Sequence, residues 1–181
     1  MPEQCGDVFR IGGNDGAWRL IVPVFVKNSK NEREKSYALL DGGSTRHVIA
    51  RSLCEKLKIE GEEVRMSITT LDNKVEGVRR VADVDVEGVN GVQLTLSGAI
   101  FGDIVASGGD APPSREDVVD MAHLNGISFP AFADGGRGVD VGVIIGAEHA
   151  HVWMAGERRQ GPRGLPMGVA TTLGWGLIGP K

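Results

Sequence analysis

The sequence predicts a mostly β fold with a short helix in its first half and another in an inserted segment. Apolar runs rich in β-branched residues recur along the chain, and several alternate with polar residues as half-buried strands do. Glycine is the compositional outlier, because its 27 copies in 181 residues are roughly twice what an average usage of about 7% would give. Many tight turns and close backbone approaches are therefore expected, as in a compact β protein.

The first half of the chain combines strands with one helix. Residues 20–26 and 36–40 are apolar runs that predict a hairpin, with a polar loop over 27–35. Between 48 and 58, apolar residues recur at helical spacing with charged residues between them, which predicts a short amphipathic helix. Further strands are predicted at 64–68, 81–86, 92–96, 139–146 and 173–178.

An insertion is predicted over about 106–138. Gly, Ser and Pro dominate its first part, 106–113, which is typical of a loop. Ser114 is followed three residues later by Asp117, and this pair indicates a capped short helix over 115–124.

Length and charge limit the classes to which the protein can belong. The chain fits one domain, 1–181, with an N-terminal extension over about 1–18. No apolar run reaches the roughly 20 residues of a membrane-spanning helix, and the N-terminus lacks the pattern of a secretory signal. We therefore expect an intracellular, cytoplasmic protein with no membrane partner. The net charge of −4 gives no electrostatic reason to expect nucleic acid as a partner.

No pattern in the sequence predicts a cofactor or a metal site. Cys5 and Cys54 cannot form a disulfide framework, and both are expected to be free thiols, with Cys54 buried on the helix. His149 and His151 would share one face of a strand, but no third ligand is evident nearby. Ordinary packing or solvent exposure is therefore the favoured interpretation of this histidine pair.

Asp41 is the main candidate for a catalytic residue. It follows the apolar run 36–40 and precedes Gly42, Gly43 and Ser44, so its carboxylate should emerge from a tight turn that backbone N–H groups can approach. Two carboxylates held close together share a proton, because like charges resist full ionisation. The ionised carboxylate can take a proton from an attacking water while the protonated one donates to the developing oxyanion.

A second acid for such a pair is not evident within the chain. Asp134 also precedes two glycines, but a poor strand comes before it and Arg137 replaces the serine, so an ordinary loop turn is predicted. One acid per chain requires a homodimer with its site on the two-fold axis. Ser44 and His47 could suggest a nucleophile and a base, but no Gly-x-Ser-x-Gly elbow surrounds the serine. His47 is instead predicted to begin the helix.

Four segments of the chain fit the pattern of one known family. Residues 41–44 resemble the Asp-(Thr/Ser)-Gly-(Ser/Ala) signature of aspartic peptidases, and 143–148 resemble the hydrophobic-hydrophobic-Gly segment that braces the catalytic turn in retropepsins. The ending 172–180 is similar to the Thr-x-Leu-Gly-Trp close of one group of these enzymes, and 123–127 fits their inserted segment. The chain thus resembles the retropepsin-like aspartic peptidase domain of Pao/BEL retrotransposons.

The resemblance implies a closed retropepsin-like barrel and an aspartic endopeptidase that needs no metal. Its substrate would be an extended peptide or a retroelement polyprotein, cleaved by Asp41 of two chains. The implied site residues are the catalytic Asp41, the turn residues Gly42, Gly43 (backbone contact to the carboxylate) and Ser44 (its orienting hydroxyl), the flap residues Leu71, Asp72, Asn73 and Lys74, and the bracing residues Ile145 and Gly146.

Gly42 departs from the family pattern. The Thr or Ser normally found there makes a hydroxyl bridge between the two halves of the dyad, and glycine cannot. Two alternatives therefore stay open. The first is an inactive, domesticated domain of the same fold that dimerises or binds peptides. The second, less favoured, is a metal-independent hydrolase that uses Ser44.

Overall fold

In the computed structural model, residues 6–11, 16–69, 73–106 and 110–181 are described, and over them the chain forms twelve strands and two short α-helices. In chain order these are β1 (Val8–Arg10), β2 (Ala17–Trp18), β3 (Ile21–Lys27), β4 (Arg33–Leu40), β5 (Val48–Ala50), α1 (Arg51–Lys56), β6 (Glu62–Thr69), β7 (Lys74–Gly88), β8 (Gln93–Val105), β9 (Val141–Ile145), α2 (His151–Met154), β10 (Arg158–Arg159), β11 (Met167–Thr171) and β12 (Gly174–Pro180). The mostly β prediction is confirmed.

The main sheet contains eight strands in the order β1-β8-β5-β9-β4-β3-β7-β6. Strand β7 pairs with β8 as well as with β3. Six strands, β8, β5, β9, β4, β3 and β7, therefore surround a common core without forming a true barrel. The predicted hairpin at 20–40 is present as β3 and β4, which pair from Ile21 and Leu39 to Lys27 and Arg33.

The core inside this ring is built from alternating side chains. Val22, Val24 and Val26 of β3 are fully buried in the largest apolar cluster, while Ile21 belongs to a second cluster on the other face. Each such side chain contributes about 1.5–3 kcal/mol on burial. A strand buried on both faces reads as a continuous apolar run, as residues 20–26 do.

A second, four-stranded sheet has the order β10-β11-β12-β2. The hairpin between β11 and β12 closes with Thr171 opposite Gly174, whose φ of +115° lies in the left-handed region that favours glycine. Leu173 and Leu177 are fully buried. The last predicted strand is therefore present and anchors this sheet to the core.

The N-terminal segment belongs to both sheets. Strand β1 pairs in parallel with β8, and β2 pairs with the end of β12. Just before β1, the Asp7 carboxylate accepts hydrogen bonds from the buried guanidinium of Arg79 on β7, at 2.6 Å to Nε and 3.2 Å to Nη2. This ion pair links the start of the described chain to the β6–β7 hairpin.

The first predicted helix was wrong at its N-terminal end. Val48–Ala50 is strand β5, and α1 begins only at Arg51. Val48 pairs with Ile100 of β8 on one side and with Ile144 of β9 on the other. These β-branched residues fit a central strand well, and pairing with two distant strands outweighs the helical spacing of the local sequence.

The helix predicted over 115–124 is also wrong. Two single 3₁₀ turns, Glu116–Val118 and Ala122–Leu124, occupy this part of the insertion. The Asp117 carboxylate accepts from both the N–H and the hydroxyl of Ser114, at 2.7 Å each, so the predicted pair closes a turn. Only one side chain of each turn is buried, which is too little apolar surface to stabilise an isolated short helix.

Over the part of the chain that is described, no helix combines the length and the apolar character needed to cross a membrane.

Candidate active site

Asp41 lies in a tight turn directly after β4. Its N–H donates to the carbonyl of Ile145 (3.0 Å), and its own carbonyl accepts from Ser44 N–H (3.2 Å). The N–H of Gly43 donates to Asp41 Oδ1 (2.9 Å). The carboxylate is therefore oriented by the backbone of its own turn and stays partly open to solvent.

The turn is held from one side by β9 and the residues after it. Strand β9 lies between β4 and β5, parallel to the first and antiparallel to the second. Beyond it, Ala147 N–H donates to the Ser44 carbonyl (2.7 Å). A Cβ on Gly146 would lie 2.7 Å from the carbonyl oxygens of both Ser44 and Arg46. The contact between Gly146 and the turn is thus close enough to require glycine.

Gly146→Ala is expected to lower the free energy of unfolding by about 1–3 kcal/mol, the usual cost of forcing extra volume into a packed site. The backbone at Gly146 is extended (φ −85°, ψ −176°), so the cost is steric and not conformational. Gly42→Ala is the matched control, because its Cβ would meet only Trp153 at 3.9 Å. Urea unfolding of both variants checks this, and equal stabilities would contradict the close contact.

Ser44 and Gly42 complete the turn. The hydroxyl of Ser44 donates to the carbonyl of Arg46 (2.6 Å), so this hydrogen bond lies within its own loop and the orienting role toward the carboxylate stays a prediction. Gly42 is exposed, and its φ lies outside the left-handed region. A side chain at this position would therefore project into open space beside the cleft.

Asp41, Gly42 and Ser44 line a cleft of about 670 Å³ between the two sheets. Deep clefts with apolar walls and a few polar groups are typical ligand sites. The rim carries exposed apolar side chains, since Val8, Met154 and Ile178 are 51%, 61% and 41% exposed. The apolar residues that form the walls are Leu20, Leu39, Ile144, Trp153, Met167 and Val169.

Strands β6 and β7 flank the predicted flap residues in the sequence. The two strands pair as far as Thr69 and Lys74, and the side-chain oxygen of Asn73 accepts from Lys74 N–H (2.9 Å). The flap assignments for Leu71 and Asp72 lie outside the described residues.

Asp134 is separate from Asp41. It lies in an exposed turn, as predicted, where Gly135 has a φ of +87°. Its carboxylate pairs with Lys35, and this hydrogen bond keeps the pKa of Asp134 below its usual value. It lines a different cleft, of about 900 Å³, which does not include Asp41.

Two sequence interpretations of the histidines were wrong. His47 does not begin the helix, since it lies before β5 and is 1% exposed. His149 and His151 do not share a strand; His149 ends a 3₁₀ turn and His151 begins α2. The rings of His47 and His149 are 4.7 Å apart. Among the residues with described positions, no group of three or more His, Cys, Asp or Glu side chains could hold a metal.

Sequence reasoning named His47 but missed its role in this site. Its Nδ1 accepts a hydrogen bond from Gly146 N–H at 3.0 Å. The two residues are 99 positions apart, and no local pattern signals such a contact.

Cys54 is buried on α1 as predicted, and burial raises the pKa of its thiol to about 12. That thiol therefore stays protonated and is a poor nucleophile.

Comparisons of the chain with protein-family models, with curated proteins and with solved structures found no match.

Proposed function

We propose that the protein is a retropepsin-like aspartic endopeptidase that acts as a homodimer, with Asp41 of two chains forming the catalytic dyad. The observation that carries the proposal is the turn at Asp41. A strand end, a backbone N–H donated to the carboxylate and a bracing glycine segment hold one carboxylate at the mouth of an apolar cleft.

The chemistry follows from two such carboxylates at a two-fold axis. Like charges a few ångströms apart resist joint ionisation, so one carboxyl group keeps its proton. The ionised carboxylate takes a proton from water, and the water oxygen attacks the scissile carbonyl. The protonated carboxyl group donates to the developing oxyanion.

The single chain has exposed surfaces for contact with a second copy and with a peptide substrate. Apolar side chains at the cleft rim, from β1, α2 and β12, are exposed in the single chain, and a second copy would cover such a patch. An extended peptide would lie in the cleft and pair its backbone as an added strand, with the flap that the sequence resemblance implies closing over it. A retroelement polyprotein is the substrate that the sequence resemblance implies.

The alternatives differ in how they account for Gly42 and Ser44. An inactive domain that dimerises or binds peptides is favoured by the missing hydroxyl at Gly42. A hydrolase that uses Ser44 is disfavoured, because the Ser44 hydroxyl donates to Arg46 and His47 Nδ1 is engaged with Gly146. Both groups are thus engaged by the backbone, whereas an activated serine needs a hydrogen bond to its base.

The deciding experiment is incubation with a diverse peptide library between acidic and neutral pH. Wild type is expected to cleave and Asp41→Asn is not. Binding without cleavage by both proteins would support the inactive, peptide-binding alternative. Cleavage that survives Asp41→Asn and is blocked by serine-directed reagents would support Ser44.

Gly42→Ser and Gly42→Thr are expected to tighten dimerisation. A hydroxyl reaching across the symmetry axis is worth about 0.5–1.5 kcal/mol net, so two copies give up to roughly 3 kcal/mol, or about a hundredfold in Kd. The space beside Gly42 admits the side chain. Sedimentation equilibrium measures the effect, with Gly42→Ala as the control that adds Cβ without the hydroxyl. If the dimers of Gly42→Ser and Gly42→Thr dissociate with a Kd equal to or above that of Gly42→Ala, the missing hydroxyl has no role in dimerisation.

A further inference from the structure

His47 occupies a buried position behind the Asp41 turn. Its Nδ1 accepts from Gly146 N–H at 3.0 Å, while its buried Nε2 faces the Glu148 carboxylate without the geometry of a regular hydrogen bond. A neutral imidazole carries a single proton, and an imidazole that accepts at Nδ1 must carry that proton at Nε2. The site therefore selects one neutral tautomer, in which Nε2 has no lone pair to offer a metal.

The Gly146 amide is the middle of three consecutive residues that contact the turn. Ile145 accepts from the N–H of Asp41 (3.0 Å), and Ala147 donates to the carbonyl of Ser44 (2.7 Å). His47 thus holds the centre of the segment whose two ends hold the catalytic turn. A shift of Gly146 would move both flanking hydrogen bonds at once.

The ionisable groups around His47 come from one neighbouring turn. Glu148 places Oε2 3.4 Å from Nε2, and the His149 ring lies 4.7 Å away and directs its own Nε2 to the Thr95 carbonyl (3.0 Å). The β8 residues that pair with β5, at 100–102, are uncharged. Burial lowers the pKa of His47, His149 lowers it further, and Glu148 opposes both.

We propose that His47 is a positioning residue for Asp41, and that a proton added to its ring loosens the catalytic turn and slows cleavage. The proposal rests on the proposed peptidase function. The second proton can go only to Nδ1, where it would face the N–H of Gly146. Two donors cannot share that contact, so either the ring or the Gly146 segment must move.

The direction of the pH effect follows from the lowered pKa. At a pH below the ordinary histidine pKa near 6.5, His47 is protonated in the unfolded chain but stays neutral in the folded chain, because its folded pKa is lower. The hydrogen bond from Gly146 N–H to His47 contributes its full stability at a pH above the ordinary histidine pKa. That contribution is lost as the pH falls through the folded pKa of His47. Activity should fall on the acid side, in a region where an aspartate dyad alone would still be active.

Two substitutions of His47 test its hydrogen-bond acceptor and its ionisation separately. His47→Asn places an amide oxygen close to the position of Nδ1, so it can accept from Gly146 N–H but cannot titrate. This variant is expected to retain cleavage and to lose the acid-side fall. His47→Leu fills the site without an acceptor and is expected to lower kcat by about tenfold at every pH. His151→Asn is the control, because His151 is exposed and lies beyond His149, and it should keep the wild-type profile.

An NMR titration of the full chain tests the inference without relying on activity. At neutral pH the His47 ring should be the Nε2-protonated tautomer, and the amide signals of Gly43, Ser44 and Gly146 should shift together as His47 titrates. In His47→Asn these shifts should be absent. Should His47 titrate while those three amides stay unchanged, or should His47→Asn keep the acid-side fall, the inference is overturned. A coupled titration in a protein that cleaves nothing would overturn only the proposed function.

Discussion

Asp41→Asn is expected to lower peptide cleavage by about 10²–10⁴-fold, the usual contribution of general acid–base catalysis. Asparagine keeps the size of the side chain and can still accept from Gly43 N–H, so the turn should survive. What is lost is the ionised oxygen that takes a proton from water. A statine-type inhibitor should block the wild type, because its hydroxyl replaces the attacking water between the two acids. Steady-state cleavage of one peptide by equal amounts of folded protein measures the loss.

Asp134→Asn is the matched control for this experiment. Asp134 also precedes two glycines, but it lies in an exposed turn and pairs with Lys35. Its substitution should leave cleavage within about twofold, as expected for a surface change away from the site. An equally large loss in Asp134→Asn would contradict the assignment of Asp41 as the single acid of each chain.

A mixing experiment tests whether the dyad is shared. When wild type and Asp41→Asn exchange subunits, only dimers of two wild-type chains should be fully active. Activity should therefore follow the square of the wild-type fraction, giving about a quarter in an equal mixture. A linear dependence would indicate a complete site within each chain.

Asp7→Ala is expected to lower the free energy of unfolding by about 3–5 kcal/mol, the cost of leaving a buried charge without its partner. The Arg79 side chain is fully buried, and its guanidinium donates to both oxygens of Asp7. Its other hydrogen bonds go to carbonyl oxygens of Met66, Val75 and Gly77, which cannot neutralise the charge. Urea unfolding of the two proteins measures the difference.

Two further variants make this result interpretable. The double change Asp7→Ala with Arg79→Leu should recover part of the loss, because no unpaired charge then remains. Glu76→Ala breaks the exposed contact with Lys74 on the same strand, and such surface pairs are worth about 0–1 kcal/mol. A cost for Asp7→Ala as small as that of Glu76→Ala would contradict the buried ion pair.

The sequence by itself determined the elements whose signals are local. Alternating apolar residues placed parts of the long strands β7 and β8. The apolar run before Asp41 and the two glycines after it placed the candidate site at the end of a strand. The burial of Cys54 on a helix followed from the spacing of its apolar neighbours. Periodicity and turn chemistry act over a few residues, so they can be read without knowing the fold.

Only the tertiary structure decided the features that depend on partners far along the chain. Val48–Ala50 is a strand because β8 and β9 flank it. His47 is a buried acceptor because Gly146, 99 residues away, brings an N–H to its ring. Arg79 is buried because Asp7, 72 residues away, neutralises it. A polar group is buried only where a specific partner compensates its lost hydration, and which residues meet is a property of the folded chain, not of any local segment.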